Sequence, residues 1–249
     1  MEPMAFRVWL GWRASSLRGA GGWGKFADHL QRVFVPATVQ VMGRFGLLAY
    51  LPSLAQEGQD EALPDETALL VYRNQGEYKA AFDTVAGRAY GLLHQAVFDM
   101  TPSKSRSAWA KTPPAAPEEK LPATHWPAAA GGPEFTQDSS AAVYLVLQHP
   151  PGAPAGLQQV RDALGAADGE AVVCQSGALS FVWLATRGDR SAQQQADQLL
   201  QRCPEWQVLV KQDAKRASAG SDGFAADAAG VAFAPTHTLQ FVKTTPASP

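Results

Sequence analysis

The side chains best suited to bind oxygenated groups or move protons crowd the first hundred or so residues: Asp28, His29, Arg44, Tyr50, Tyr72, Arg73, Tyr78, Arg88, Tyr90 and His94. An imidazole titrates near working pH and can serve as a general base, while phenol and guanidinium groups donate to oxygen that gains charge during reaction. On that chemistry His29 and His94 are the candidate bases and Tyr72 and Arg73 the candidate donors, giving the catalytic set His29, His94, Tyr72 and Arg73. Structural roles compete with this assignment. His29 falls three residues after Phe26 and four before Val33, near the core-facing stripe of a helix, where an internally hydrogen-bonded histidine is common. His94 lies near the expected end of a second helix, where an imidazolium suits the negative end of the helix dipole.

Other chemistry-bearing patterns are weaker. His125, His149 and His237 are scattered and show no metal-ligand spacing with each other or with the two cysteines, Cys174 and Cys203, which read as structural thiols of a reducing compartment. The glycine-rich run from Gly19 to Gly24 lacks the lysine and hydroxyl ending of a phosphate loop and reads as a turn. Ser176 lacks the glycine two residues before it that a nucleophile elbow requires, so it too reads as a turn residue.

Period-two alternation over residues 6–12 predicts a half-buried strand, and Phe26, Leu30, Val33, Ala37 and Val41 predict an amphipathic helix over 25–42, kinked at Pro36. Strands follow at 46–51 and 67–72, able to pair as a hairpin across an acidic loop. A helix over 76–93 and a closing strand at 95–100 complete a βαββαβ unit. The same order returns with a strand at 141–148, a helix at 155–166, strands at 170–175 and 178–186 around Ser176-Gly177, a helix from Ser191 to Cys203 stopped by Pro204, and a strand at 206–211. Between them, residues 101–140 are rich in Pro, Ala, Ser and Lys and read as a linker. Its Trp109, Trp126 and Phe135 are better explained by packing back on the body than by a partner. The expected organisation is thus unit 1 at 4–100, linker at 101–140, unit 2 at 141–213 and a tail at 214–249 with an edge strand at 238–242.

Composition agrees with a folded chain: 249 residues, 46% hydrophobic and 18% charged. A net charge of −2 offers no basic footprint for nucleic acid. The apolar runs are strand-sized, too short for a bilayer-spanning helix, and the first residues lack the basic start of a signal peptide, so no membrane partner and a cytoplasmic location are expected.

Three stretches carry a family likeness: Phe26-Ala-Asp-His-Leu-Gln-Arg-Val-Phe-Val-Pro, Gly46-Leu-Leu-Ala-Tyr-Leu-Pro, and Glu66-Thr-Ala-Leu-Leu-Val-Tyr-Arg-Asn-Gln-Gly-Glu-Tyr. Residues 4–100 resemble the ferredoxin-like, dimeric α+β-barrel superfamily in the style of the EthD, Dabb and antibiotic-biosynthesis monooxygenase families. The resemblance implies an α+β fold of two tandem ferredoxin-like units that could pack as a barrel within one chain. Some relatives bind haem through a histidine, but the chain has no attachment motif, and no cofactor is expected. Two functions compete. The absence of a diagnostic catalytic signature and the aromatic-bearing 101–140 segment favour a binding protein that engages an unknown protein partner, for instance one that neutralises a toxin. The resemblance and the polar-aromatic group favour a cofactor-independent oxygenase, isomerase or cyclase acting on a small aromatic or polyketide-like ligand.

Overall fold

The computed structural model describes residues 4–55, 58, 60–109, 123–127, 134–136, 141–150, 160, 169–187, 192–214, 216–217, 224–227 and 230–233. The chain is α+β, with two antiparallel-type sheets whose strand orders repeat one another. β1 (Ala5–Gly11) is followed by a helical stretch, α1 (Gly22–His29) and α2 (Val35–Gly43). Then come the hairpin β2 (Leu47–Leu54) and β3 (Glu66–Tyr72), the helices α3 (Gln75–Ala81) and α4 (Val85–Val97), and β4 (Lys104–Trp109). The sheet order is β2-β3-β1-β4, with the first and third strands central and the second and fourth at the edges. That is the ferredoxin-like arrangement, in which each strand-helix-strand crossover skips a position.

The second sheet repeats it. β6 (Ala141–Gln148), β7 (Glu170–Ser176), β8 (Leu179–Thr186) and β9 (Gln207–Asp213) stand in the order β7-β8-β6-β9, and a short β5 (Thr124–Trp126) adds one more strand outside β7. α5 (Ala192–Arg202) covers this sheet: Ala192, Ala196 and Leu199 pack into a core with Val143, Leu145, Leu147, Val173, Val182 and Leu184. Gly177 takes φ 61° in the β7–β8 turn, a left-handed conformation that glycine adopts without steric cost. A separate hairpin joins β10 (Phe224–Asp227) to β11 (Gly230–Phe233). By internal contacts the first compact unit is centred on Trp9–Ser105 and also takes in Lys215–Phe241. The second takes in Ala5–Val8 and Arg106–Ala214.

Several expected elements shift. The first helix is not simply kinked at Pro36. A π-helical turn over Leu30–Phe34 runs without a break into α2, and Pro36, which has no N–H to donate, follows directly after that wider turn. Thr38 Oγ1 donates back to the Phe34 carbonyl at 2.8 Å. β2 runs on through Pro52 to Leu54, which an edge strand permits because the missing N–H costs no ladder bond.

The helix expected over 76–93 is two helices. Thr84 accepts from the Gly87 N–H at 3.0 Å and caps α4, while Asn74 accepts from the Glu77 N–H at 2.8 Å and caps α3. The strand expected at 95–100 is instead the last turn of α4 followed by a single antiparallel bridge between Arg13 and Phe98. The fourth strand is β4, beyond residue 100 and inside the segment expected to be linker, and β5 also falls in that segment. The helix expected at 155–166, apart from Val160, which is helical and buried, lies outside the described residues. So do the capping role of Ser191 and the strand at 238–242. Among the described residues no helix is long and apolar enough to cross a membrane. Both cysteines are free and buried.

Candidate functional site

The hairpin register decides which side chains of the first unit meet. Leu54 pairs with Glu66 and Tyr50 with Leu70, so Tyr50 and Glu66, each an even number of residues from a paired position, point to the same face of the sheet. There the Tyr50 hydroxyl donates to Glu66 Oε1 at 2.6 Å, with both side chains wholly or almost wholly buried. Among the described residues the other carboxyl oxygen, Glu66 Oε2, has no hydrogen-bond partner, nor does the indole Nε1 of Trp9.

Burial dominates the electrostatics. Loss of hydration pushes the Glu66 carboxyl up to about 7, against smaller opposing effects of the Tyr50 hydrogen bond and the nearby Trp9 indole. The indole stands close enough to favour the ionised carboxylate, but its N–H does not reach hydrogen-bond geometry. The Tyr50 phenol is raised well above its ordinary value, first by burial and then by the adjacent Glu66 charge. Tyr50 therefore donates a proton without losing it, and Glu66 is the group that changes charge near neutrality.

Trp9 links this pair to the helices. Its ring meets His94 edge-on at 5.1 Å and Phe98 at 5.2 Å, and Phe34 meets His94 at 4.8 Å. Tyr90, one turn before His94 on α4, shares a hydrogen bond of 3.1 Å with Thr38 on α2. The regular spacing of Gly87, Tyr90, His94 and Val97 turns this face of α4 inward, and Gly87 lets it approach the end of α3. Burial lowers the His94 imidazole, opposed in part by the Tyr90 carbonyl, which accepts from Nδ1–H at 3.3 Å.

The four residues expected from sequence lie in different settings. His94 belongs to the aromatic group around Trp9, and Tyr72, buried, meets Tyr78 edge-on at 4.9 Å and adds a small electrostatic effect at Tyr50. Arg73, its side chain 62% exposed, pairs with Glu77 on α3 at 2.8 Å. His29 is half-buried in the last turn of α1. Sequence reasoning missed Glu66 and Trp9 altogether and noted Tyr50 without a role. Glu66 follows an acidic loop and reads as its solvated end; only the hairpin register, which puts it across from Leu54, shows it facing inward. Among the described residues no group of three His, Cys, Asp or Glu side chains is placed to hold a metal ion.

No protein-family model and no curated protein sequence matches the chain. Its fold is similar to that of a proposed monooxygenase from Fusobacterium nucleatum, at 9% identity and a TM-score of 0.44, covering 86% of this chain and 92% of that one. It is also similar to a proposed monooxygenase from Lactobacillus acidophilus, at 9% identity and a TM-score of 0.38, covering 86% and 93%. An anthrone oxidase-like protein matches at 10% identity and a TM-score of 0.38, covering 88% and 96%. Likeness this distant carries no information about activity.

Proposed function

We propose that the first unit takes up a small aromatic or polyketide-like molecule and removes a proton from it, as a cofactor-independent oxygenase, isomerase or cyclase does in its first step. The observation that supports this reading is Glu66: a fully buried carboxyl with a pKa of about 7, one oxygen held by Tyr50 and the other free. A buried carboxyl left half unpaired is costlier than an apolar side chain of the same size, so stability alone gives no reason to keep it. A base poised near working pH is the most effective proton acceptor, and the free Oε2 is the atom that would receive the proton. Tyr50 fixes the carboxyl's orientation, Trp9 and Phe34 supply aromatic walls, and His94, whose Nδ1–H is directed at the Tyr90 carbonyl, leaves Nε2 to accept from a hydroxyl of the ligand. Tyr72 borders this group; Arg73 and His29 have no part in it. The protein-binding reading, including a toxin-neutralising role, finds no support among the described residues.

The test is proton exchange rather than a full reaction. Anthrone and related phenolic carbon acids incubated with the protein in deuterium oxide should exchange the acidic C–H faster than in buffer. Glu66→Gln should remove the acceleration while leaving the far-ultraviolet circular dichroism unchanged. Equal exchange by the two proteins would overturn the proposal.

A further inference from the structure

Two buried polar atoms of the first unit lack partners and are opposite in kind. Glu66 Oε2 is an acceptor and Trp9 Nε1 a donor, each is shielded from solvent, and neither is hydrogen-bonded among the described residues. Neighbouring strands carry them, since β1 lies next to β3 in the sheet, and the indole stands close enough to the carboxyl to favour its ionised form. Ser53 Oγ is also unpartnered, but Ser53 pairs with Thr67, one position from Leu54 and Glu66, and so belongs to the opposite face. The indole ring is held from several sides. His94 and Phe98 meet it edge-on at 5.1 and 5.2 Å, and a Cβ at Gly11 would lie 2.5 Å from Nε1, so the bare glycine is what admits the nitrogen end of the ring.

The ionised and the neutral carboxyl make different demands on Oε2. A buried carboxylate needs a donor at each oxygen; Tyr50 serves Oε1 at 2.6 Å, which leaves Oε2 to be served. A hydrogen bond to a charged acceptor is about twice as strong as one between neutral groups, so the indole gains most by turning to Oε2 when Glu66 is ionised. One lone pair of Oε2 then takes the indole and the other remains for an incoming proton. Once protonated, Oε2 is a hydroxyl and a weaker acceptor, and the gain is lost. The other titratable side chains around the pair are Tyr50 on β2, Tyr72 on β3, and Tyr90 and His94 on α4. Burial raises the Tyr50 and Tyr90 phenols and lowers the His94 imidazole, so none of these three follows Glu66 through its midpoint.

We propose that Trp9 is a positioning residue for Glu66, its indole N–H closing onto Oε2 when the carboxyl ionises and withdrawing when it takes up a proton. The inference deepens the reading of Glu66 as a base and rests on it for its place in proton uptake: the state ready to accept a proton is the one held by both Tyr50 and Trp9. The full-length protein, labelled with nitrogen-15 in its tryptophans and carbon-13 in its glutamates, would be titrated with pH while the Trp9 indole proton and the Glu66 carboxyl are followed together. Overhauser contacts to the Phe98 ring assign the indole. Its proton should move to lower field as pH rises, with the same midpoint as Glu66. In Glu66→Gln that step should vanish, leaving only the separate step of His94 at lower pH. Trp9→Phe should raise the Glu66 midpoint, because it removes a donor that favours the ionised form. An indole proton that stays in place through the Glu66 midpoint, one that moves equally in Glu66→Gln, or an unchanged midpoint in a folded Trp9→Phe would overturn the proposal. Should Trp9→Phe not fold, the wild-type and Glu66→Gln spectra decide it. A Glu66 midpoint at the ordinary 4.5 with the indole still following it would remove the base and keep the positioning role, so the two failures are distinguishable.

Discussion

At the scale of single residues, the structure moves attention from imidazoles to a carboxyl. Tyr50→Phe removes the donor that favours ionised Glu66, so the carboxyl should titrate higher still, and the lost hydrogen bond should lower stability by about 1–3 kcal/mol. Carboxyl titration followed by infrared spectroscopy, together with urea unfolding, measures both effects. Arg73→Ala should behave differently: its pair with Glu77 is exposed, and such pairs contribute no more than about 1 kcal/mol, so stability and proton exchange should stay near wild type. Part of this was readable in the sequence. The clustering of Tyr50, Tyr72, Tyr90 and His94 falls in the unit that holds the buried Tyr50–Glu66 pair, and His94 does face inward. Glu66 was not readable, because a glutamate after an acidic loop looks the same whether it ends the loop or opens a buried strand. Its burial follows from the one-residue parity of the hairpin register, which composition does not reveal.

At the scale of elements, strong periodicity was legible and weak periodicity was not. The apolar alternation of β1, the β2–β3 hairpin, and the β7–β8 hairpin around Ser176-Gly177 all appear close to where the pattern puts them. β4, with the sequence Lys-Ser-Arg-Ser-Ala-Trp, has no apolar alternation to announce it; it is an edge strand held by its neighbour. The break between α3 and α4 had a signal, since Thr84 is a residue type that favours helix N-caps, but the apolar spacing across it continues and hides the stop. Two variants test that junction. Thr84→Ala removes the cap and should cost about 1 kcal/mol. Gly87→Ala sets a methyl group against the Ala81 carbonyl, where there is no room, and should cost about 1–3 kcal/mol or shift α3 relative to α4. Thermal unfolding reads both, and a neutral Gly87→Ala would show that the helix packing is looser than described.

At the scale of the whole molecule, the repeated strand order was legible as a pattern of elements, and the buried charge makes the stability of the fold depend on pH. Glu66 rises from an ordinary value of 4.5 to about 7, so between those values the native state keeps a proton that the unfolded chain has released. Its contribution is greatest below 4.5 and is lost as pH rises through 7, a difference of about 3 kcal/mol at 1.36 kcal/mol per unit. His94 and His149 act in the opposite sense: burial lowers both, so their contribution is lost as pH falls through 6.5 and below. The wild-type curve therefore mixes two slopes, and the difference between wild type and Glu66→Gln isolates the carboxyl. Relative to the variant, wild type should lose about 3 kcal/mol in urea unfolding from acid to about pH 8. The most direct measurement is the titration of the Glu66 side-chain carboxyl itself, by carbon-13 nuclear magnetic resonance of glutamate-labelled protein assigned with Glu66→Gln. The account predicts a midpoint close to 7; a midpoint at the ordinary value of 4.5 would contradict it, because a carboxylate ionised throughout the neutral range is not a base poised to take up a proton.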